Sequence, residues 1–275
     1  MVFVLLHDGV LILSLRPQAE SLCHHQMKSE PTPSRLKKLL ADPVGVLKSR
    51  LRWLGQLLRY RLPGGYRSRA YWTSRLGRYG FDLRGVGCDS LSDAENRRMY
   101  AQAREQFLTL VGAQGVDLTA ARVLDVGCGT GFYADLCAQA GCSRYVGLDI
   151  TDTLLPELRR RLPAFTFRQL DITEPAQAAQ DWGGPFDLVL MIDVTQHITQ
   201  DDRFTRAMQT IRASLAAGAV FIVTSWLDAL ARRSFFERSR DLAAYQAEFP
   251  GYRFSPPQRF RDKFIFAVRM AFADK

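Results

Sequence analysis

Residues 123–131 read Val123-Leu124-Asp125-Val126-Gly127-Cys128-Gly129-Thr130-Gly131, and this stretch decides the fold. A short apolar run passes directly into three glycines within five positions. Glycine lets the backbone turn sharply and approach a ligand closely, and the first N–H groups of a following helix are free to bind one. The stretch therefore predicts a buried strand, a tight ligand-binding turn and a helix that begins near Gly131.

The glycine spacing and a preceding acid indicate which ligand the turn holds. The pattern is G-x-G-x-G, and Phe132 stands where the third glycine of the dinucleotide pattern G-x-G-x-x-G would fall. Asp125 lies two positions before the first glycine. A carboxylate there repels a pyrophosphate and attracts a cationic amino group or sulfonium. The residues favour S-adenosylmethionine over a nicotinamide or flavin dinucleotide.

Around this turn, apolar runs alternate with helical periodicity. Runs typical of buried strands cover residues 122–126, 145–148, 166–170, 186–192, 220–224 and 264–269. Helical patterns cover 131–140, 153–162, 201–215 and 227–247, and a longer one begins at Asp89 or Ser92 and ends near Val111. This alternation predicts an α/β fold with a doubly wound, mostly parallel sheet.

Polar residues follow the strands at the edge where such a sheet binds ligands. Asp149 lies 18 residues after Gly131, at the distance expected of an acid that accepts both ribose hydroxyls, although it could also cap the next helix. Asp171 is expected to accept from an adenine amino group, with Ile172 against the ring, or simply to begin a turn. Asp193 either contacts the methionine part of the cofactor or only holds its loop.

These four elements in order resemble a class I (Rossmann-like) S-adenosylmethionine-dependent methyltransferase of the bacterial small-molecule type. The resemblance covers residues 103–275 and implies a seven-stranded sheet whose last strand is antiparallel. The sequence departs from that pattern at Pro256-Pro257, where the sixth strand is poorly marked. We expect the cofactor to be bound by Asp125, Gly127, Cys128, Gly129, Gly131, Asp149, Ile150, Asp171, Ile172, Asp193 and Val194. No clustered metal ligands are evident, so no metal is expected.

His197 is the candidate catalytic residue. It is the only histidine after residue 25 and follows the fourth strand, where substrate enters in this fold. Its unperturbed pKa near neutrality suits a general base, and the alternative is a structural histidine. The aromatic residues considered for the acceptor pocket, which could equally be core, are Tyr71, Trp72, Tyr79, Trp226, Phe235, Phe236 and Tyr245.

Charge divides the 275-residue chain. Residues 34–84 hold 13 Lys and Arg against two acids, whereas residues 85–275 hold 22 against 23. We assign residues 1–33 to a disordered or mis-annotated N-terminus with translation from Met27, residues 34–88 to a basic helical extension or lid, and residues 89–275 to the cofactor-binding domain. Within 35–62, Pro43 and Gly45 are expected to split the helical pattern into two helices.

We expect a cytoplasmic enzyme, because the five cysteines lack a disulfide or zinc pattern. The predicted function is methyl transfer to oxygen or nitrogen of a small-molecule acceptor. The first alternative is a nucleic-acid methyltransferase anchored by the basic segment, although residues 192–195 lack the expected (Asp/Asn)-Pro-Pro-aromatic tetrad. The second is a non-catalytic cofactor-binding partner docked on a protein or an anionic membrane. Membrane contact through residues 34–62 is considered for the enzyme too.

Overall fold

The computed structural model describes residues 3–7, 10–14, 43–61, 65–89, 91–174, 182–228 and 234–270. The elements before the central sheet are β1 Phe3–His7, β2 Val10–Ser14, α1 Pro43–Arg61, α2 Ser68–Tyr79, α3 Leu83–Val86 and α4 Asp93–Ala113. The remaining helices are α5 Phe132–Gln139, α6 Leu155–Arg161, α7 Asp201–Ser214 and α8 Leu242–Glu248. The remaining strands are β3 Arg122–Val126, β4 Arg144–Asp149, β5 Thr166–Gln169, β6 Phe186–Met191, β7 Leu215–Ser225, β8 Tyr252–Phe254, β9 Gln258–Phe260 and β10 Lys263–Met270.

Within the N-terminal segment, the structure describes residues 3–7 and 10–14. Strands β1 and β2 pair as an antiparallel hairpin. Residues 15–42 lie outside the described residues, and the predicted helix over 35–42 lies there with them. Helix α1 starts at Pro43, one of the two predicted break points, and continues through Gly45. The helix predicted before it lies outside the described residues, so the division into two helices stays a prediction. Proline is well suited to a first helical position, because its missing N–H has no partner there in any case.

Helix α4 begins where its sequence provides a cap. The Glu95 N–H donates to Ser92 Oγ at 3.3 Å, and the Ser92 N–H donates to Glu95 Oε2 at 2.8 Å. This reciprocal pairing is a capping box, which satisfies two backbone donors at the start of the helix. Of the two predicted starting points, Ser92 is therefore the one that the structure uses.

The central sheet has the order β5-β4-β3-β6-β7-β10, with β10 antiparallel to β7 and the others parallel. Strands β8 and β9 both pair antiparallel with β10, through Phe254 opposite Val268 and Gln258 opposite Ile265. They are two halves of one edge strand, interrupted at Pro256-Pro257 because proline has no N–H to donate to a ladder. Counted this way, the seven-stranded fold with an antiparallel last strand is confirmed.

Both faces of the sheet are covered by helices. Along β3, Val123 belongs to the core cluster shared with α4, α5 and α6, whereas Leu124 belongs to the cluster shared with α7 and α8. Such alternation is required of a strand that is buried on both sides. The doubly wound architecture is confirmed, and it places the carboxyl ends of β3, β4, β5 and β6 at one edge of the sheet.

The predicted helix over 227–247 is wrong for residues 227–228 and 234–241. Only Leu242–Glu248 is helical, residues 229–233 lie outside the described part, and residues 234–241 are irregular. Residues 234–241 instead form hydrogen bonds with the loop after β6. The Arg238 N–H donates to the Gln196 carbonyl at 2.8 Å, and the buried Arg240 guanidinium donates to the Ile198 carbonyl at 2.7 Å. Within the described residues, no helix combines the length and the apolar character needed to cross a membrane.

Candidate active site

The turn after β3 requires its glycines. Gly127, Gly129 and Gly131 have φ values of +79°, +51° and +79°, in the left-handed region that favours glycine. A Cβ added at Gly127 would lie 2.3 Å from Val194 Cγ2, and one added at Gly131 would lie 2.5 Å from Leu158 Cδ2. The turn is therefore held against the loop after β6 and against α6, and it leaves its own backbone open toward the strand ends.

Asp149, at the end of β4, is joined to this turn. The Gly129 N–H donates to Asp149 Oδ2 at 3.0 Å, and the Thr151 N–H donates to Oδ1 at 3.0 Å. The side chain is buried, and this burial raises the pKa of the carboxyl to about 6 despite both hydrogen bonds. The predicted juxtaposition of Asp149 with the glycine turn is present.

Asp171 follows β5 and carries a partner that the sequence did not suggest. Its Oδ2 accepts a hydrogen bond from Arg203 of α7 at 2.7 Å, and its Oδ1 accepts from the backbone and hydroxyl of Thr173 at 3.0 and 2.7 Å. The turn-forming interpretation is thus realised. Asp171 and its neighbour Ile172 still line the same cavity as Asp149.

Asp193, just past β6, adopts a φ of +60°, which is uncommon for a residue with a side chain. Its N–H donates to Thr224 Oγ1 at 2.8 Å. Its carboxylate forms ion pairs with Arg261 and with Lys263, the latter at 2.8 Å. Asp193 therefore holds the loop after β6 to the hairpin that joins β9 to β10, and it also lines the cavity beside Val194.

Asp125 occupies a different position from the one expected. It is buried but absent from the cavity wall, and the Tyr145 hydroxyl donates to its Oδ2 at 2.5 Å. Burial raises the pKa of this carboxyl to about 7, with a further upward contribution from Asp149. The cationic end of a ligand in the cavity would therefore not touch Asp125.

One cavity collects most of the predicted cofactor residues. Its wall includes Gly127, Cys128, Gly129, Asp149, Ile150, Asp171, Ile172, Asp193, Val194 and His197. Gly131 shapes the turn without lining the cavity. Among the described residues, no group of three or more His, Cys, Asp or Glu is placed to hold a metal ion.

The other side of the cavity is formed by residues that precede and cover the sheet. Helices α2 and α3 contribute Trp72, Leu76 and Val86, with Tyr66 just before them. Tyr100 of α4 and Phe132 and Tyr133 of α5 complete this wall. Of the aromatic residues that the sequence suggested, Trp72 lines the cavity; those outside its wall are Tyr71, Tyr79, Trp226, Phe235, Phe236 and Tyr245.

The sequence analysis missed Tyr66, Tyr100 and Tyr133. The available signal for Tyr133 was its place in the first turn of the helix after the glycine loop, which faces any ligand bound there. The positions of Tyr66 and Tyr100 depend on how α2 and α4 pack over the strand ends, and no local pattern records that packing.

His197 connects the two sides of the cavity. Its ring lies edge-on to Trp72 at a centroid distance of 4.9 Å and parallel to Phe236 at 6.1 Å. His197 Nδ1 lies 3.1 Å from the Phe236 carbonyl oxygen, which can only accept, so Nδ1 donates and Nε2 keeps its lone pair. Burial, together with the positive charges of Lys263 and Arg75, lowers the pKa of the imidazole to about 3. The ring is therefore neutral at physiological pH.

Comparison with known proteins is consistent with this geometry. Residues 124–221 match the family described as "Methyltransferase domain". The matched range runs from β3 into β7, and it contains the glycine turn, Asp149, Asp171, Asp193 and His197. This match supports the predicted resemblance to the class I (Rossmann-like) methyltransferases over these residues.

Two curated relatives are ubiquinone biosynthesis O-methyltransferases. The one from Acinetobacter baylyi is 28% identical over 99 residues, which are 34% of this chain and 40% of that protein. The one from a Chelativorans species is 34% identical over 84 residues, 30% of this chain and 32% of that protein. The chain thus matches less than half the length of either relative.

Two solved structures of methyltransferases share the fold of this chain. Magnesium protoporphyrin IX methyltransferase from Synechocystis, crystallised with bound SAM, aligns over 76% of this chain and 100% of its own, with a TM-score of 0.57 and 18% identity. The N-methyltransferase NodS from Bradyrhizobium japonicum, in complex with S-adenosyl-L-homocysteine, covers 74% of this chain and 97% of its own, with a TM-score of 0.51 and 17% identity. At such identities the likeness concerns the fold alone.

Proposed function

We propose that this chain is an S-adenosylmethionine-dependent methyltransferase that acts on an oxygen or nitrogen atom of a small-molecule acceptor. One observation carries the proposal. A single cavity is lined by the glycine turn with Asp149 on one side and by Trp72 and His197 on the other. A cofactor held at the first side would be enclosed with an acceptor at the second, and such enclosure is what transfer between two bound molecules requires.

The cavity wall fits the adenosyl cofactor. The Asp149 carboxylate lies at the end of β4, where it would accept from ribose hydroxyls, and Ile150 and Ile172 offer apolar contact to the adenine. The buried hydroxyl of Tyr133 has no hydrogen-bond partner in the described structure, yet Tyr133 lines the cavity. A buried polar group without a partner costs free energy, so a hydrogen-bonding ligand group beside it would be stabilising.

The cofactor supplies an electrophilic methyl group carried by a sulfonium. Trp72, Tyr100 and Phe132 would exclude water from the space in which the positive charge is lost, which favours the transfer. When the nucleophile is a hydroxyl or a protonated amine, His197 Nε2 would accept its proton, because that nitrogen carries the free lone pair. The low pKa keeps the His197 imidazole neutral across the physiological range, and it also makes Nε2 a weak base.

The names of the relatives include methyl transfer to oxygen and to nitrogen, and they support a small-molecule acceptor without selecting the atom. We also propose a cytoplasmic location. Contact with an anionic membrane through residues 34–62 is a proposal separate from the methyl transfer.

The first experiment measures cofactor binding and then turnover. Calorimetry on the folded, full-length protein should detect binding of S-adenosylmethionine and S-adenosylhomocysteine. A mass-shift screen of metabolite pools should then find a product 14 Da heavier than its acceptor, as one methyl group replacing one hydrogen requires, with Asp149→Asn as the blank. Folded protein that bound neither compound would remove the proposal, and binding without any turnover would favour a non-catalytic partner.

The second experiment tests His197 once an acceptor is known. His197→Asn keeps an N–H donor for the Phe236 carbonyl but removes the basic nitrogen. If His197 is the base, kcat should fall by about 10²- to 10⁴-fold, the usual contribution of a positioned base. The affinity for S-adenosylhomocysteine should stay within about twofold. A variant with nearly unchanged kcat would leave His197 with a structural role only.

A further inference from the structure

Helix α1 presents an apolar stripe to solvent. Five side chains spaced three and four residues apart form it, and each is exposed by 44% to 59%: Val44, Leu47, Leu51, Leu54 and Leu58. At 3.6 residues per turn these positions lie within about 80° of one another around the helix axis. Isolated exposed apolar residues are ordinary, but a contiguous apolar surface of this kind marks a place of contact.

The opposite side of α1 is already occupied. Trp53, Leu57 and Tyr60 belong to an aromatic cluster beside the cavity. The Tyr60 and Tyr71 rings meet edge-on at 5.4 Å, and the Trp53 and Phe235 rings do so at 6.4 Å. Because this packing holds the inner side of α1 against the protein, the stripe cannot turn inward without breaking it.

Basic residues flank the stripe on both sides, and α1 contains no acid. By helical geometry, Arg59 occupies a position along one border and Arg61 a position along the other, about 60–100° from the centre of the stripe. An apolar stripe bordered by cations complements a surface that has an apolar interior beneath a negatively charged outer layer. The interface of a bilayer that contains anionic lipids has this arrangement.

We propose that α1 docks on the surface of an anionic lipid bilayer, with the leucine stripe at the acyl boundary and the basic border against the headgroups. The 3-4-3-4 spacing also suits a coiled coil, but the borders of a second copy would oppose cation to cation. Nucleic acid would attract the border and leave five apolar side chains in water. This docking concerns a surface separate from the cavity and does not depend on the proposed function.

The test uses the full-length protein and sedimentation with vesicles of phosphatidylcholine, prepared with and without phosphatidylglycerol. We expect the protein to pellet with the anionic vesicles and to be released as salt rises, since salt screens the basic border. Combined serine substitution of Leu47, Leu51 and Leu54 should reduce the bound fraction at least tenfold. Met270→Ser is the matched control, because Met270 is 51% exposed on β10 and should be dispensable.

Three results would overturn the proposal: equal pelleting of the wild type and the triple variant, equal pelleting with both vesicle types, or no pelleting of the wild type. Light scattering identifies the competing occupant. A wild-type dimer that the triple variant converts to a monomer, without vesicle binding, would assign the stripe to a second copy. Calorimetry with S-adenosylhomocysteine, run on both proteins, verifies folding and keeps this outcome distinguishable from a failure of the proposed function.

Discussion

Replacing Asp149 with asparagine tests the cofactor geometry directly. The side chain lies at the end of β4, is buried, and accepts the N–H groups of Gly129 and Thr151 through separate oxygens. Asparagine keeps one acceptor, removes the charge and presents N–H groups where a ribose hydroxyl would donate. A hydrogen bond to a charged group contributes about 1.5–3 kcal/mol, so losing one should weaken cofactor binding by about 10- to 150-fold.

The same carboxyl predicts a pH dependence. Its pKa is about 6 in the free protein, and only the ionised form can accept two hydroxyl donors. Protons therefore compete with the cofactor as the pH falls through 6, and the dissociation constant at pH 5 should be about tenfold higher than at pH 8. Asp149→Asn removes this contribution, so its affinity should be nearly constant over the same range.

Titration calorimetry with S-adenosylhomocysteine measures both effects. Asp152→Asn is the matched control, because Asp152 is exposed three residues away and its substitution removes the same charge. Asp125→Asn tests the contribution of the second carboxyl with a raised pKa, which lies outside the cavity wall. If Asp149→Asn bound within twofold of the wild type at pH 8, the assignment of Asp149 to the ribose would be refuted. A flat wild-type profile from pH 5 to 8 would refute the linkage.

Three further predictions concern the free energy of unfolding, which thermal or chemical unfolding measures. Gly131→Ala places a Cβ 2.5 Å from Leu158 at a positive φ and should lower the free energy of unfolding by about 1–3 kcal/mol. Gly112→Ala is the control, because a Cβ at Gly112 inside α4 has no neighbour within 4 Å, and it should be neutral or stabilising. Equal effects of the two substitutions would contradict the packing argument. Asp125→Asn should make the protein more stable than the wild type at pH 8 and lose that advantage near pH 4. This sign follows because the folded pKa of Asp125 is about 7, so the wild type loses, as the pH rises from 4 to 7, a contribution to stability that the variant lacks. A constant difference between the two proteins would be contrary evidence. Ser92→Ala removes the capping box of α4 and should cost about 1 kcal/mol, and an unchanged midpoint would deny the cap a role.

The strands of the sheet could be predicted because buried parallel strands produce continuous apolar runs, which local sequence records directly. The irregular segment 234–241 could not, since its structure depends on Arg238 and Arg240 bonding to a loop some forty residues away in the chain. The interrupted edge strand was partly visible in Pro256-Pro257, but its pairing with β10 requires the folded sheet.

The site shows the same division. Asp149 was found because its distance from the glycine turn is fixed by one strand–helix–strand unit. The role of Asp193 stayed open because its carboxylate holds the loop after β6 through an ion pair with Lys263, which lies 70 residues later in the sequence. Asp125 was misplaced, since the glycine pattern locates an acid beside the turn without stating which side of β3 it faces.

Both ends of the sheet are poor templates for association with other chains. An uninterrupted outer strand offers a row of free N–H and C=O groups on which a neighbouring molecule can extend the ladder, and this is a common route to aggregation. Here Pro256-Pro257 breaks that row on one side, and β5 on the other side is only four residues long and exposes Arg168 and Gln169. Replacing both prolines with β-branched residues would create a continuous ladder, and we expect such a protein to lose solubility before it loses its fold.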